Sequence, residues 1–282
     1  MSSLTTQDSE PLYGGRRPGR VTIRDIAAAK ARGEKWPMLT AYDALTAGIF
    51  DEAGIPVLLV GDSAGNVVFG YETTIPVTVD DLIPLTAAVV RGTRRAMVVA
   101  DLPFGSYQAS PAEALHAAAR FMKEAGAHAI KLEGGHRVAH HVEELVSAGV
   151  PVMGHVGLTP QSVHALGGFR VQGRGAEAGE RLVHDAKALE AAGAFAIVLE
   201  GIPSELGARI TQTLQVPTIG IGAGPECDAQ VLVWQDMAGL SARSPKFAKR
   251  YADIAATLRD AATEFASDVA SGAFPTEQYS YR

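Results

Sequence analysis

Ala129-Ile130-Lys131-Leu132-Glu133-Gly134-Gly135 starts as a buried strand and ends in groups that a buried strand does not tolerate. Apolar residues of both parities are what a parallel strand covered by helices requires. Lys131 and Glu133 are two positions apart, so both point to one face, and glycine follows. Three more runs share this form: Val57-Leu58-Leu59-Val60-Gly61-Asp62-Ser63, Met97-Val98-Val99-Ala100-Asp101-Leu102-Pro103 and Ala196-Ile197-Val198-Leu199-Glu200-Gly201. A charge at the carboxyl end of a parallel strand is costly in a core and well placed to face a ligand. Four such ends in one chain point to an enzyme site.

Outward from these runs, apolar and helix-like segments alternate. Strands are predicted near 37–42, 56–61, 96–101, 128–133, 151–155, 195–200, 216–221 and 231–236. Helices fit near 44–53, 80–93, 111–125, 137–148, 178–192 and 204–213, and the connection between the last two strands is too short for a full helix. Thr22 precedes an Ala-rich N-terminal helix as a plausible N-cap, and a long C-terminal helix is predicted over 246–270. Residues 1–20, rich in Ser, Thr, Gly, Pro and Arg, read as a disordered tail, and 21–282 as one catalytic domain without a linker. Eight βα-like units imply a single α/β domain, a (β/α)₈ TIM barrel, whose active site lies at the carboxyl ends of the strands. A doubly wound sheet is the alternative, but it would spread the reactive groups along an open edge.

Composition narrows the function. With 282 residues, 47% apolar, 20% charged and a net charge of −6, the chain has no basic footprint for nucleic acid. No apolar stretch approaches the ~20 residues of a membrane span, and the N-terminus lacks a signal-peptide core. The single Cys227 excludes an intrachain disulfide and fits a reducing cytoplasm. Nothing around it argues for an activated nucleophile, so a small residue in a turn is the better reading.

Asp62 and Asp101 are each open to a dull reading, as a cap and as a turn-initiating residue. On neighbouring strand ends they can instead share a cation, and hard oxygen ligands suit Mg²⁺, which keeps waters and completes its shell with substrate oxygens. Glu133 can add a third carboxylate, directly or through water. Lys131 needs an anion: an internal salt bridge to Glu133 or Asp101, a substrate carboxylate, or both. Glu200, across the ring and within range of a basic residue such as Arg174, is a credible general base if burial raises its pKa. His155 is at least as readily a buried histidine bonded to backbone as a catalytic one. Gly220-Ile221-Gly222-Ala223-Gly224 lacks the dinucleotide spacing, and tight packing explains it as well as a phosphate does. The loop 167–175, glycine-rich and basic, suits either a mobile lid or an ordinary exposed loop.

These residues stand within longer motifs. Thr40-Ala41-Tyr42-Asp43, Val60-Gly61-Asp62-Ser63, Pro76-Val77-Thr78, Ala100-Asp101-Leu102-Pro103-Phe104 and Lys131-Leu132-Glu133-Gly134-Gly135 are joined by Gly154-His155-Val156-Gly157-Leu158-Thr159-Pro160-Gln161-Ser162, Val171-Gln172-Gly173-Arg174-Gly175 and Pro245-Lys246-Phe247-Ala248-Lys249. From about Thr22 to Pro275 the chain resembles the ketopantoate hydroxymethyltransferases. The resemblance implies a Mg²⁺-dependent barrel of the phosphoenolpyruvate/pyruvate superfamily, assembled as a homo-oligomer, usually a decamer. It implies transfer of a hydroxymethyl group from 5,10-methylenetetrahydrofolate, a co-substrate, to 3-methyl-2-oxobutanoate through a Mg-stabilised enolate, the first step of pantothenate synthesis. By the same resemblance Asp62 and Asp101 match metal ligands that also meet the substrate, and Glu133 the third acidic position. Ser63 matches a substrate contact, Lys131 the keto-acid lysine and Glu200 the proton acceptor. Two other classes compete. A mutase or lyase of the same superfamily would be expected to carry a cysteine loop, which this chain lacks. A non-catalytic barrel would not be expected to keep four acidic strand ends.

Overall fold

The computed structural model describes residues 11–13 and 19–281. Eight parallel strands close into a barrel in chain order: β1 (Trp36–Thr40), β2 (Val57–Val60), β3 (Met97–Asp101), β4 (Ala129–Lys131), β5 (Val152–Gly157), β6 (Ala196–Glu200), β7 (Thr218–Ile221) and β8 (Ala229–Leu232). The barrel seam is made by β8 returning to β1, with Trp36 opposite Ala229. Helices α1 (Ile23–Ala31), α2 (Ala44–Glu52), α3 (Val79–Gly92), α4 (Pro111–Arg120), α5 (Ala139–Ser147), α6 (Ala176–Ala191) and α7 (Ser204–Thr213) carry the chain between strands or lead into the first. As expected, no helix separates β7 from β8.

The period of two decides what the barrel holds. Met97 and Val99, Ala129, Met153, Ala196 and Val198 share one apolar core with Val57, Leu59 and Ile219. Two positions further along the same parity come Asp101, Lys131 with Glu133, His155, and Glu200. The inward rows of β3 to β6 therefore start apolar and finish ionisable. The opposite parity, Val98, Ala100, Ile130, Ile197 and Leu199, is fully buried as well, which is why these strands show no polar face.

Three expectations need correction. Leu12 and Arg20 do not behave as a tail. Leu12 is completely buried in the core beside α1, and Arg20 donates to Ala96 O at 2.6 Å and Thr93 O at 2.9 Å. Residues 1–10 and 14–18, the rest of the expected tail, lie outside the described residues. The last strand lies at 229–232, because the apolar run continuing through Val233 turns into a short helix at Trp234–Met237. The C-terminal helix, α8 (Ile254–Ser271), starts eight residues later than predicted. The residues after Pro245 form a turn and irregular chain up to Asp253, which caps the real helix by accepting from Ala256 N at 3.2 Å.

The chain also divides where a single domain was expected, the barrel ending at Val233 and a second compact unit running from Trp234. Within that unit, Tyr251 N–H and Ile254 N–H donate to Met237 O and Ala238 O, and α8 has no buried residue. Among the described residues no helix is long and apolar enough to cross a membrane.

Candidate active site

Strand pairing sets the first contact of the site. Asp101 and Lys131 are register partners on β3 and β4, and Lys131 Nζ bonds Asp101 Oδ1 at 2.8 Å. Glu133 Oε1 lies 3.9 Å from the same ammonium. His155 stands between the two sides of the mouth. Its Nδ1 is 3.4 Å from both Glu133 Oε1 and Lys131 Nζ, and its Nε2 is 3.3 Å from Glu200 Oε2. Asp62 joins the group through its main chain, whose N–H donates to Asp101 Oδ2 at 3.4 Å. Asp62, Asp101, Lys131, Glu133 and His155 are all at least 95% buried. Glu200 keeps 16% of its side chain exposed, and Ser63, partly exposed, shares a 2.8 Å hydrogen bond with the Tyr42 hydroxyl.

All six predicted site residues are thus at the mouth, five of them, with His155, in one cluster and Ser63 beside Asp62. The internal salt bridge expected of Lys131 is present. The expected partner of Glu200 is not, since it meets His155 and, among the described residues, no ion pair joins it to Arg174.

The charges disturb one another strongly. Burial, then the charges of Asp101 and Glu133, push the Asp62 carboxyl well above the usual range. Burial also raises Asp101, against the pull of Lys131. Glu133 is likewise pushed up by burial, but His155 and Lys131 outweigh this and hold it low. For His155, burial and the Lys131 charge push down, while Glu133 and Glu200 prevail and lift it to about 9. Lys131 stays charged because the three surrounding carboxylates overcome its burial.

Four carboxylates therefore face two cations. That excess suits a further positive charge near Asp62, and the oxygens fit one. Gln161 takes Asp62 Oδ2, Lys131 takes Asp101 Oδ1, and the bond from the Asp62 N–H to Asp101 Oδ2 keeps the two aspartates side by side. Among the described residues no three His, Cys, Asp or Glu side chains are gathered to enclose a metal by themselves. Two aspartates with waters and substrate oxygens are the pattern of Mg²⁺.

Sequence reasoning gave no role to Gln161, although it is the busiest residue of the site. Its Nε2 donates to Asp62 Oδ2 and Leu102 O, each at 2.9 Å, and its N–H to Glu133 Oε2 at 3.0 Å. Its Oε1 lies 2.8 Å from the Tyr107 hydroxyl and accepts from Gln108 Nε2 at 3.1 Å. Tyr107 is the second omission, its hydroxyl accepting from Glu133 N at 3.1 Å. An uncharged amide in the motif after β5 was the one available signal.

The glycines at 220–224 serve packing: a Cβ on Gly224 would fall 2.5 Å from that of Ser204. Cys227 lies just before β8, at the amino end of the strands, and its thiol is buried and pushed up in pKa. From the loop 167–175, Gln172 N–H bonds Gly201 O beside Glu200, while Phe169 is exposed.

The family model described as ketopantoate hydroxymethyltransferase matches residues 20–277. The 3-methyl-2-oxobutanoate hydroxymethyltransferase of Thermobifida fusca is 72% identical, with 100% of both chains covered. That of Streptomyces avermitilis is 62% identical over 98% of this chain and 96% of the relative. Among solved structures, phosphonopyruvate hydrolase with oxalate and Mg²⁺ aligns with a TM-score of 0.58 at 15% identity, covering 91% and 92%. A 2,3-dimethylmalate lyase of the PEP mutase/isocitrate lyase superfamily aligns at 0.56 and 17%, covering 76% and 81%. The barrel is the fold of that superfamily, and the chain belongs to the ketopantoate hydroxymethyltransferase family and is a hydroxymethyltransferase.

Proposed function

We propose that the chain transfers the one-carbon unit of 5,10-methylenetetrahydrofolate to 3-methyl-2-oxobutanoate, giving 2-dehydropantoate and tetrahydrofolate. The observation that carries this reading is the juxtaposition of a cation-deficient carboxylate pair, Asp62 and Asp101, with a separate carboxylate, Glu200, on the far side of His155. Asp62 and Asp101 would hold Mg²⁺, and Glu133 would reach it directly or through water. A bound Mg²⁺ supplies electrophilic pull on the keto oxygen and so acidifies the C3 proton. Lys131, anchored by Asp101, presents its positive charge to the substrate carboxylate, and the Ser63 hydroxyl, oriented by Tyr42, meets the same molecule.

Glu200 accepts the C3 proton. It is the carboxylate set apart from the aspartate pair, and its Oε2 lies 3.3 Å from His155 Nε2. The carbanionic C3 then attacks the folate methylene, and hydrolysis frees tetrahydrofolate. The buried position of Cys227, away from the strand ends, fits this transfer better than a mutase or lyase reaction. The chain works in the cytoplasm as a homo-oligomer, a decamer by the family resemblance. Exposed Leu258, Phe265 and Val269 on α8 support assembly.

The test is to incubate the protein with Mg²⁺, keto acid and methylenetetrahydrofolate and identify the product by mass, then to repeat with Glu200→Gln. Without folate, the wild type should exchange the C3 hydrogen for deuterium. If Glu200 is the C3 base, Glu200→Gln loses exchange and turnover together, by roughly 10²–10⁴-fold. Exchange that persists while product falls would move Glu200 to the folate side.

A further inference from the structure

Gly135 occupies a place that no other residue fits. A Cβ there would fall 2.1 Å from the Asp185 carboxyl carbon and 2.2 Å from its Oδ1. Asp185 lies on α6, and the carboxylate so admitted has a use. Its Oδ1 accepts from the His136 N–H at 2.9 Å and lies 2.6 Å from His136 Nδ1. On the other side, Gly134 N–H donates to His155 O at 3.0 Å, an isolated bridge to β5. The three residues after Glu133 are therefore held between β5 and α6.

We infer that Asp185 is a positioning residue for the reaction, its carboxylate clamping the Gly134–His136 loop so that Glu133 stays aligned with Gln161 and His155. This rests on the proposed part of Glu133 in the site. The chain geometry favours it over a merely local cap. Glu133 has its own bonds, to Gln161 N and from its N–H to the Tyr107 hydroxyl, but both partners belong to other loops. Asp185 bonds the main chain of the segment beyond it to α6, where His184 adds only a ring contact to His136, and a charged acceptor on a main-chain N–H is the stronger kind of hydrogen bond. The pair is partly open to water, with Asp185 20% and His136 57% exposed, so losing it should loosen the loop without unfolding the barrel. Alanine is also the better helix former, so α6 itself does not suffer from Asp185→Ala.

The experiment measures kcat, KM for the keto acid, and amide hydrogen exchange over 134–136 in Asp185→Ala, Asp185→Asn, His136→Ala and Glu133→Gln. Asp185→Ala should lower kcat roughly tenfold or more and speed exchange in the loop, with a cooperative unfolding transition retained. Asp185→Asn keeps an oxygen acceptor and should preserve most of kcat. His136→Ala keeps the main-chain bond and should fall between them. Unchanged kcat in Asp185→Ala, or equal losses in Asp185→Asn and Asp185→Ala, overturns the clamp. Full activity in Glu133→Gln instead overturns the placing of Glu133 in the site. Should Asp185→Ala fail to fold, loop exchange in His136→Ala decides, and an unchanged rate there overturns the clamp.

Discussion

Lys131 is bonded to Asp101 and is proposed to meet the substrate carboxylate as well, and that pairing of roles makes its removal informative. Its ammonium is bonded to Asp101 in a site sealed from water. Lys131→Ala frees Asp101 Oδ1 and makes the cluster more negative. Affinity for Mg²⁺ should therefore hold or rise, while KM for the keto acid rises by roughly ten- to a hundred-fold, as expected for a lost charge-assisted bond of ~1.5–3 kcal/mol. Titration calorimetry with Mg²⁺ beside steady-state kinetics separates the two, and a fall in both affinities would make Lys131 a structural counter-ion only. Asp62→Asn should do the reverse, weakening Mg²⁺ first. Gln161→Leu probes the same carboxylate from its other side. It leaves Asp62 Oδ2 and Leu102 O without the amide they accept from, so metal affinity should fall roughly 10–100-fold, and unfolding should occur at lower denaturant.

At the level of single elements, β4 shows what three residues can and cannot do. It is too short to fill the ladder beside β3, and His128 just before it completes the pairing. Val98 N–H donates to His128 Nδ1 at 3.0 Å, and His128 N–H returns to Val98 O at 2.9 Å. Burial and the Arg20 charge outweigh any gain from that bond and depress the imidazole to about 4. An unfolded histidine titrates near 6.5, so between these values the unfolded chain binds more protons. Stability present above pH 6.5 is then lost as pH falls toward 4. Unfolding midpoints should drop less steeply across this window in His128→Gln, whose side-chain oxygen can accept the same N–H without titrating. Identical slopes would show that His128 does not set acid stability.

Such elements also explain what the chain order disclosed. Asp101, Lys131, Glu133 and Glu200 were legible because strand parity carries a side chain to a fixed face, and Asp62, just past β2, because the barrel carries every strand end to one mouth. Gln161 and Tyr107 come from loops, where no period relates position to direction. The shift of β8 and the late start of α8 have a similar cause. Apolar Val233 and Trp234 read equally well as strand and as helical turn, and Pro245 came too close to the predicted start to be weighed correctly.

For the whole molecule, the exposed apolar side chains on α8 should report assembly. Native mass spectrometry is expected to give a multiple of the chain mass, reduced when Leu258 and Phe265 are both changed to Glu. A monomeric wild type would remove the assembly reading. The seam between β1 and β8 has a different consequence, one of timing. Every ionisable residue of the mouth, from Asp62 to Glu200, leaves the ribosome before Ala229 can reach Trp36. Until then β1 keeps a bare edge, and edges of that kind pair readily with other chains. Because such distant pairing is slow, the nascent enzyme is most vulnerable to misassembly after its chemistry has been synthesised and before its barrel is shut.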